Sequence, residues 1–353
     1  MVPSPRRSVG LWLLAVAAAV VVQVVLGGIT RLTDSGLSIT EWKPILGVVP
    51  PTDDAGWAEA FGKYQQIPQF QRLKSHLSLD EFKVIYFWEW FHRLWGRLLG
   101  LFFVVPMVVF WRRGQLEGLK GRALGLLALG GAQGVMGWVM VASGLQELVY
   151  VSHLRLAAHF LLAAVLLGWL VALGVACLDA RPVSGASASS RWASGLLAVL
   201  FVQFAWGAFM AGLKAVLAAP TWPTINGQWV PNGLFGGGGW WWNDPLAVHL
   251  IHRSLGYALV LGVLVFWWRS RLVLGASRHA ALAVVALQVS LGVLVTVNAV
   301  VPARLLWLGV AHQVTGLGLM VALVVARARA LRAAPARAEA SARSAEGGLL
   351  AGA

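Results

Sequence analysis

Eight long apolar runs, separated by polar stretches, leave this chain few folds to choose from. They fall at about residues 9–28, 84–111, 122–142, 152–177, 192–213, 246–268, 279–298 and 305–326. A helix rises about 1.5 Å per residue, so each run is long enough to cross a hydrocarbon layer. Backbone in lipid must satisfy its own hydrogen bonds, so such runs form helices. Hydrophobic residues make up 58% of the 353, charged residues only 12%, more apolar surface than a soluble core can bury. The predicted class is all-α, a polytopic membrane protein with eight transmembrane helices. The second run is interrupted by Glu89, Arg93 and Arg97 and studded with Trp88, Trp90, Trp95 and Trp111, which suit an interface and a packed interior.

Charge orients the spans. The formal charge is +14, from 28 Lys+Arg and 14 Asp+Glu. A nucleic-acid surface does not explain it, because the arginines flank apolar runs. Arg6, Arg7, Arg112, Arg113, Arg122, Arg181, Arg191, Arg269, Arg271, Arg278, Arg327, Arg329 and Arg332, with Lys120, all fall on one side of an eight-span topology. The positive-inside rule makes that side cytoplasmic. Most acids, including Asp34, Glu41, Asp53, Asp54, Glu59, Asp80, Glu81, Glu147 and Asp244, fall on the other. Both termini are then cytoplasmic, which requires an even number of spans. A bacterial inner membrane is the expected location. The start MVPSPRRSVG is short and no small-residue cleavage site follows the first run, so that run reads as a retained span. The stretch 333–353 is rich in Ala, Arg, Ser and Gly and is expected to be disordered.

Four histidines lie inside the even-numbered spans: His92, His159, His252 and His312. An ionisable residue at membrane depth is costly and marks function by default. Neutral imidazole is also a common axial ligand of haem iron. Each lies about seven to ten residues past the outer boundary, roughly 10–15 Å down at a helical rise. Matched depth favours two bis-histidine haem sites, His92 with His159 and His252 with His312. Polar packing contacts are the plainer reading. His76 in the external loop, His279 at the cytoplasmic edge and His153 near an outer helix mouth rank lower.

The two halves of the chain repeat each other. Odd-numbered spans carry glutamine followed four residues later by glycine: Gln23/Gly27, Gln133/Gly137, Gln203/Gly207 and Gln288/Gly292. Even-numbered spans carry histidine in that position, as His92/Gly96, His252/Gly256 and His312/Gly316, with Ala163 following His159. Four residues is about one turn, so each polar group shares a helix face with a small residue, as a flat ligand lying on the helix would need. Close helix packing is the alternative. Gln203 follows Gln23 by 180 residues, His252 follows His92 by 160, Gln288 follows Gln133 by 155 and His312 follows His159 by 153. The drift matches the longer first external loop, about 29–82, against about 214–245. Four spans thus pair with four in the same topology, giving two pseudo-twofold-related four-helix bundles, 1–178 and 192–326.

One position breaks the repeat. EWFHRLWGR aligns with HLIHRSLGY, so Glu89 stands three residues before His92 where His249 stands before His252. Residues three apart share a face. Glu89 therefore points toward the ligand of His92 and nominates the N-terminal site as reactive, handling protons. A buried ion pair with Arg93 is its other role. Haem propionates need cations, and Arg31, Arg93, Arg155 and Arg253 are the candidates. Interfacial snorkelling is the alternative for Arg31 and Arg155.

The ordered set GGITRLTDSGLSITEWKPILGVVPP, EFKVIYFWEWFHRLWGRLLG, HLRLAAHF, GLKAVLAAPTWPTINGQWVP, IHRSLGY and AHQVTG resembles haem A synthase over nearly all of residues 20–325. The resemblance implies two four-helix halves. It implies haem b as a cofactor on His252 and His312. It implies that His92 and His159 hold the substrate haem O, with Glu89 catalytic. A ring methyl would be oxidised to a formyl group, giving haem A for terminal oxidases. Haem O synthase and an electron donor are candidate partners, alongside the lipid bilayer and a homo-oligomeric assembly.

Cys177 is the sole cysteine and lies near the cytoplasmic end of the fourth span. The chain thus resembles the cysteine-free, mitochondrial and proteobacterial branch, and no mechanism here uses an external thiol. The external segment 54–80 is roughly amphipathic and is expected to lie on the outer surface, capping the N-terminal site. A lateral, lipid-facing entrance suits the isoprenoid tail of haem O. Gly236–Gly239 with Trp240, Trp241 and Trp242 reads as a loop with interfacial aromatics. Two competing readings use the same histidines. A dihaem cytochrome b-type electron carrier, such as a quinol oxidoreductase subunit, needs no Glu89 asymmetry. A cofactor-free membrane scaffold needs only packing.

Overall fold

The computed structural model describes residues 5–42, 46–146, 148–179, 181–234 and 240–333. Residues 334–353, Glu147 and Gly236–Gly239 lie outside them, and with them the expectation of a disordered tail. Ten α-helices occur among the described residues, and no strand: α1 Pro5–Leu32, α2 Asp54–Gln65, α3 Leu79–Arg112, α4 Lys120–Gln146, α5 His153–Leu178, α6 Ala188–Gly212, α7 Pro245–Arg269, the single turn α8 Arg271–Leu274, α9 His279–Val297 and α10 Pro302–Arg332. All but α2 and α8 are long and apolar enough to span a membrane, eight in all. They coincide with the eight predicted runs, and α3 and α10 extend past them. Glu89, Arg93 and Arg97 do not interrupt α3.

Local chemistry sets the helix starts. Ser78 and Glu81 form a reciprocal capping box at α3, as do Ser187 and Ser190 at α6. Asp244 accepts from Leu246 N–H at 2.8 Å, and Pro245 and Pro302 open α7 and α10, where a missing N–H costs nothing.

The spanning helices pack as two rings. In the first, α1 touches α3, α3 touches α4, α4 touches α5, and α5 closes on α1. In the second, α6 touches α7, α7 touches α9, α9 touches α10, and α10 closes on α6. The rings meet where α5 packs on α6 and α10, and α1 on α10. Burial follows from this: α1, α5, α6 and α10 are the most enclosed spans, while α3, α4, α7 and α9 present most of their surface outward. The shared core includes Leu13, Leu167, Leu170, Leu317, Leu319 and Met320, all fully buried. Lipid tails are as apolar as leucine, so close approach rather than water exclusion holds spans together. Gly10 and Gly174 illustrate this, since a Cβ on either would sit 3.0 or 3.2 Å from the other's carbonyl oxygen.

Outside the spans, α2 lays Tyr64 and Phe61 on Phe82 of α3, with Leu37, Ile67, Ile85 and Val141 completing a separate apolar cluster. Burial pushes the Tyr64 phenol well above its usual range, and its hydroxyl donates to Gln69 at 2.9 Å. The predicted amphipathic segment is a folded cover on the start of α3 and the end of α4.

A polar clasp joins the halves on that same face. Asp34 and Lys214 are 180 residues apart, the same offset as Gln23 and Gln203. Both adopt left-handed backbone, with φ of 53° and 52°, just past the ends of α1 and α6. These repeat-equivalent residues have opposite charges and pair with each other at 2.8 Å. Arg31 also pairs with Asp34 at 3.1 Å and donates to the terminal carbonyls of Ala211 and Gly212, where a cation suits the α6 dipole. Tyr150 Oη lies 3.0 Å from Lys214 Nζ. A thermal-unfolding double-mutant cycle with Asp34→Asn and Lys214→Met should show coupling of about 1–2 kcal/mol. Strict additivity would show that the clasp does not join the halves energetically.

Candidate functional site

The four membrane histidines occupy four copies of one cross-helix arrangement. Gln23 Nε2 on α1 donates to the His92 backbone carbonyl on α3 at 3.1 Å and lies 3.2 Å from His92 Nδ1. Gln133 on α4 does the same for His159 on α5, at 3.1 Å to the carbonyl and 3.3 Å to Nε2. Gln203 on α6 repeats it for His252 on α7, at 3.0 and 3.4 Å. The fourth copy varies: Gln288 Nε2 is 3.2 Å from His312 Nε2, and the backbone carbonyl of Gln288 lies 3.1 Å from His312 Nδ1.

The glycines complete the arrangement in a way their sequence spacing does not reveal. A Cβ on Gly27, Gly137, Gly207 or Gly292 would lie 3.0–3.3 Å from the Cε1 of the facing histidine. Each glycine therefore receives an imidazole from the neighbouring helix. Gly96, Gly256 and Gly316 in turn lie under the glutamine amides, 3.3–3.6 Å from Nε2. The same-face spacing read from the sequence is correct. In the structure the facing side chain lies against each of these small residues, because adjacent helices interlock at the polar residue.

Two of the imidazoles face each other within the second ring. The His252 and His312 ring centroids are 6.3 Å apart, with planes at 66°. Imidazole nitrogens bond first-row metals at about 2 Å, so two rings sharing one iron have centroids roughly 6 Å apart. Buried polar atoms without partners among the described residues cluster around the four histidines: Oε1 of all four glutamines, and Nδ1 of His159 and His252. Such atoms usually have partners when buried, so a polar or metal-bearing occupant fits this donor set.

Glu89 is 2% exposed. Its Oε2 accepts from the Ser38 hydroxyl and the Ile39 N–H, each at 2.8 Å, and its Oε1 pairs with Arg93 at 2.6 Å. The ion pair read from sequence is therefore present, together with two loop donors that sequence spacing gave no means of finding. Arg93 also donates to the carbonyls of Ile39 and Glu41 at 2.8 and 3.0 Å. Arg253 repeats this clamp in the other half, donating to Thr221, Pro223 and Thr224 carbonyls. His249, the counterpart of Glu89, lies 3.3 Å from Arg253. Each His-Arg pair thus plants one residue inward and ties the outer loop with the next. Arg155 donates to the Val139 carbonyl at 2.9 Å, and Arg31 belongs to the clasp.

A family model described as cytochrome oxidase assembly protein matches residues 10–324. The Heme A synthase of Maricaulis maris is 44% identical over 335 residues, covering 93% of this chain and 97% of that protein. The Heme A synthase of Parvibaculum lavamentivorans is 44% identical over 326 residues, covering 91% and 93%. That of Brucella suis is 46% identical over 262 residues, covering 72% and 73%.

The cross-helix seats make a stability prediction. Gly292→Ala, which sets a Cβ 3.0 Å from the His312 ring, should lower thermal stability by about 1–3 kcal/mol despite alanine's helix preference. Gly130→Ala on α4, with nothing within 4 Å, should be neutral or stabilising. Equal behaviour of the two variants in detergent would discount the seats.

Proposed function

We propose, on the premise that this chain belongs to the haem A synthase family of cytochrome oxidase assembly proteins, a division of labour between its two rings. The chain is an oxidoreductase that converts haem O to haem A by oxidising a ring methyl to a formyl group. In this reading α1, α3, α4 and α5 bind haem O through His92 and His159. The ring of α6, α7, α9 and α10 holds haem b through His252 and His312. The observation that carries the division is the exchange of an ionisable carboxylate for an imidazole at corresponding positions one turn before the membrane histidine, Glu89 against His249.

Haem b, when bound, supplies one-electron transfer between an external donor and the reacting site. The rest falls to side chains. His92 and His159 orient the substrate macrocycle from opposite faces. Gln23 and Gln133 hold the helices that carry them in register. Glu89 stands one turn before His92, fixed by Ser38, Ile39 and Arg93. Its carboxylate takes protons, or stabilises positive charge, as the methyl C–H bond breaks. Arg93 and Arg253 keep the outer loops closed over the two sites, which excludes water and strengthens these electrostatic effects. Arg31 and Arg155 complete the candidate set for the propionates.

Access fits a lipophilic substrate. α3 and α4 make the sparsest contact in their ring and expose most of their surface. A lateral opening there would admit haem O from the bilayer, delivered by its synthase, with the isoprenoid tail left in lipid. The two rings are related by a pseudo-twofold axis along the membrane normal, and the arginine-rich face is cytoplasmic in a bacterial inner membrane.

Glu89→Gln should keep the haem b absorption and still bind haem O, while haem A formation falls about 100-fold or more. Conversion at the normal rate would leave Glu89 only its ion pair. For topology, a cytoplasm-dependent reporter fused after Ala333 should be active, and labelling of that fusion from outside intact cells would reverse the orientation.

A further inference from the structure

The face where α1 begins and α10 ends holds two adjoining clefts that the reaction does not use. The larger, about 820 Å³, is lined by Arg6 and Arg7 of α1, Arg181 of the α5–α6 connection and Arg332 of α10, against one acid, Asp179. Leu11 and Val183 give it an apolar wall. The smaller, about 360 Å³, lies on the other side of Arg181 and adds Arg329 and Ser277. Asp179 does not neutralise the arginines. It is engaged by Arg181 in two contacts at 2.8 and 3.0 Å, and Arg332 lies at 3.8 Å. Arg181 holds the Asp179 carboxyl down to about 2, so it remains ionised and committed. Arg6 and Arg7 have no ion-pair partner among the described residues.

We propose that the paired clefts bind an anionic phospholipid carrying two phosphodiesters, one on each side of Arg181. The position selects a lipid over a soluble anion. The clefts open at the ends of membrane-spanning helices, where a headgroup lies, and Leu11, in the wall of the larger, belongs to the spanning helix α1. Basic pockets between helices at this depth suit such headgroups, and each arginine contributes roughly 1 kcal/mol of attraction, about fivefold in affinity. Arginine also matches phosphate oxygens through paired donors. The site seals the junction of α1, α5 and α10, where the two rings meet, and is independent of the haem assignments.

The full chain, purified in detergent and stripped of lipid, is titrated with cardiolipin, phosphatidylglycerol, phosphatidylcholine and sodium phosphate. Thermal stability and native mass spectrometry report binding. Cardiolipin should bind one per chain and raise stability, phosphatidylglycerol should bind more weakly, and phosphatidylcholine and phosphate should do neither. Arg6→Gln/Arg7→Gln and, separately, Arg181→Gln/Arg329→Gln should each weaken cardiolipin binding about 25-fold, while Arg113→Gln, on the same face outside the clefts, should not. Equal binding of phosphatidylcholine, an equal effect of phosphate alone, or undiminished binding by both double variants would overturn the proposal. Selectivity that appears only after residues 334–353 are removed would assign the clefts to the chain's own tail, and overturn it too.

Discussion

The need to hold a polar imidazole inside an apolar bundle governs this structure. In hydrocarbon an unpaired polar group costs several kcal/mol, roughly, so each histidine must find its partners within the protein. The chain meets that need four times with one device, a glutamine and a glycine on the facing helix. In three instances the amide bonds the histidine's own backbone carbonyl, in the fourth it meets the ring, and in all four the glycine makes room for the imidazole. Helix pairing, ring closure and the depth of the candidate haem sites all follow from where these pairs meet.

Repetition explains the economy of the fold. Matching seats recur in the two rings, and matching His-Arg pairs clamp both outer loops. Two of the divergent positions change the chemistry of the repeat. Glu89 and His249 occupy corresponding sites with different chemistry. Asp34 and Lys214 occupy corresponding sites with opposite charge, which turns a repeated loop into an attractive contact between halves. Two identical halves would place like charges there.

Much of this was legible in the sequence because its signals are one-dimensional. Span length and the Gln/Gly spacing are properties of single segments, and both reappear in the helices observed. The Glu89–Arg93 pair was legible for the same reason, since residues four apart share a helix face. What was not legible depends on which helices become neighbours. Periodicity gives a face but no partner, so the facing imidazole that lies against each glycine could not be named from the spacing. Ser38 and the Ile39 N–H lie about 50 residues from Glu89 in a loop without periodic pattern, and no spacing rule connects them. The clasp was hidden similarly, because Asp34 and Lys214 lie 180 residues apart and no spacing rule pairs them.

The central claim is that two like-built rings hold chemically different haems. Chromatography of pigment extracted from the wild-type chain and from its His92→Ala and His252→Ala variants tests it most directly. The account predicts haem b together with haem O or haem A in the wild type, loss of haem b alone in His252→Ala, and loss of haem O and haem A alone in His92→Ala. Haem b as the sole wild-type pigment, reduced equally by either substitution, would contradict it and describe an electron carrier with two equivalent sites.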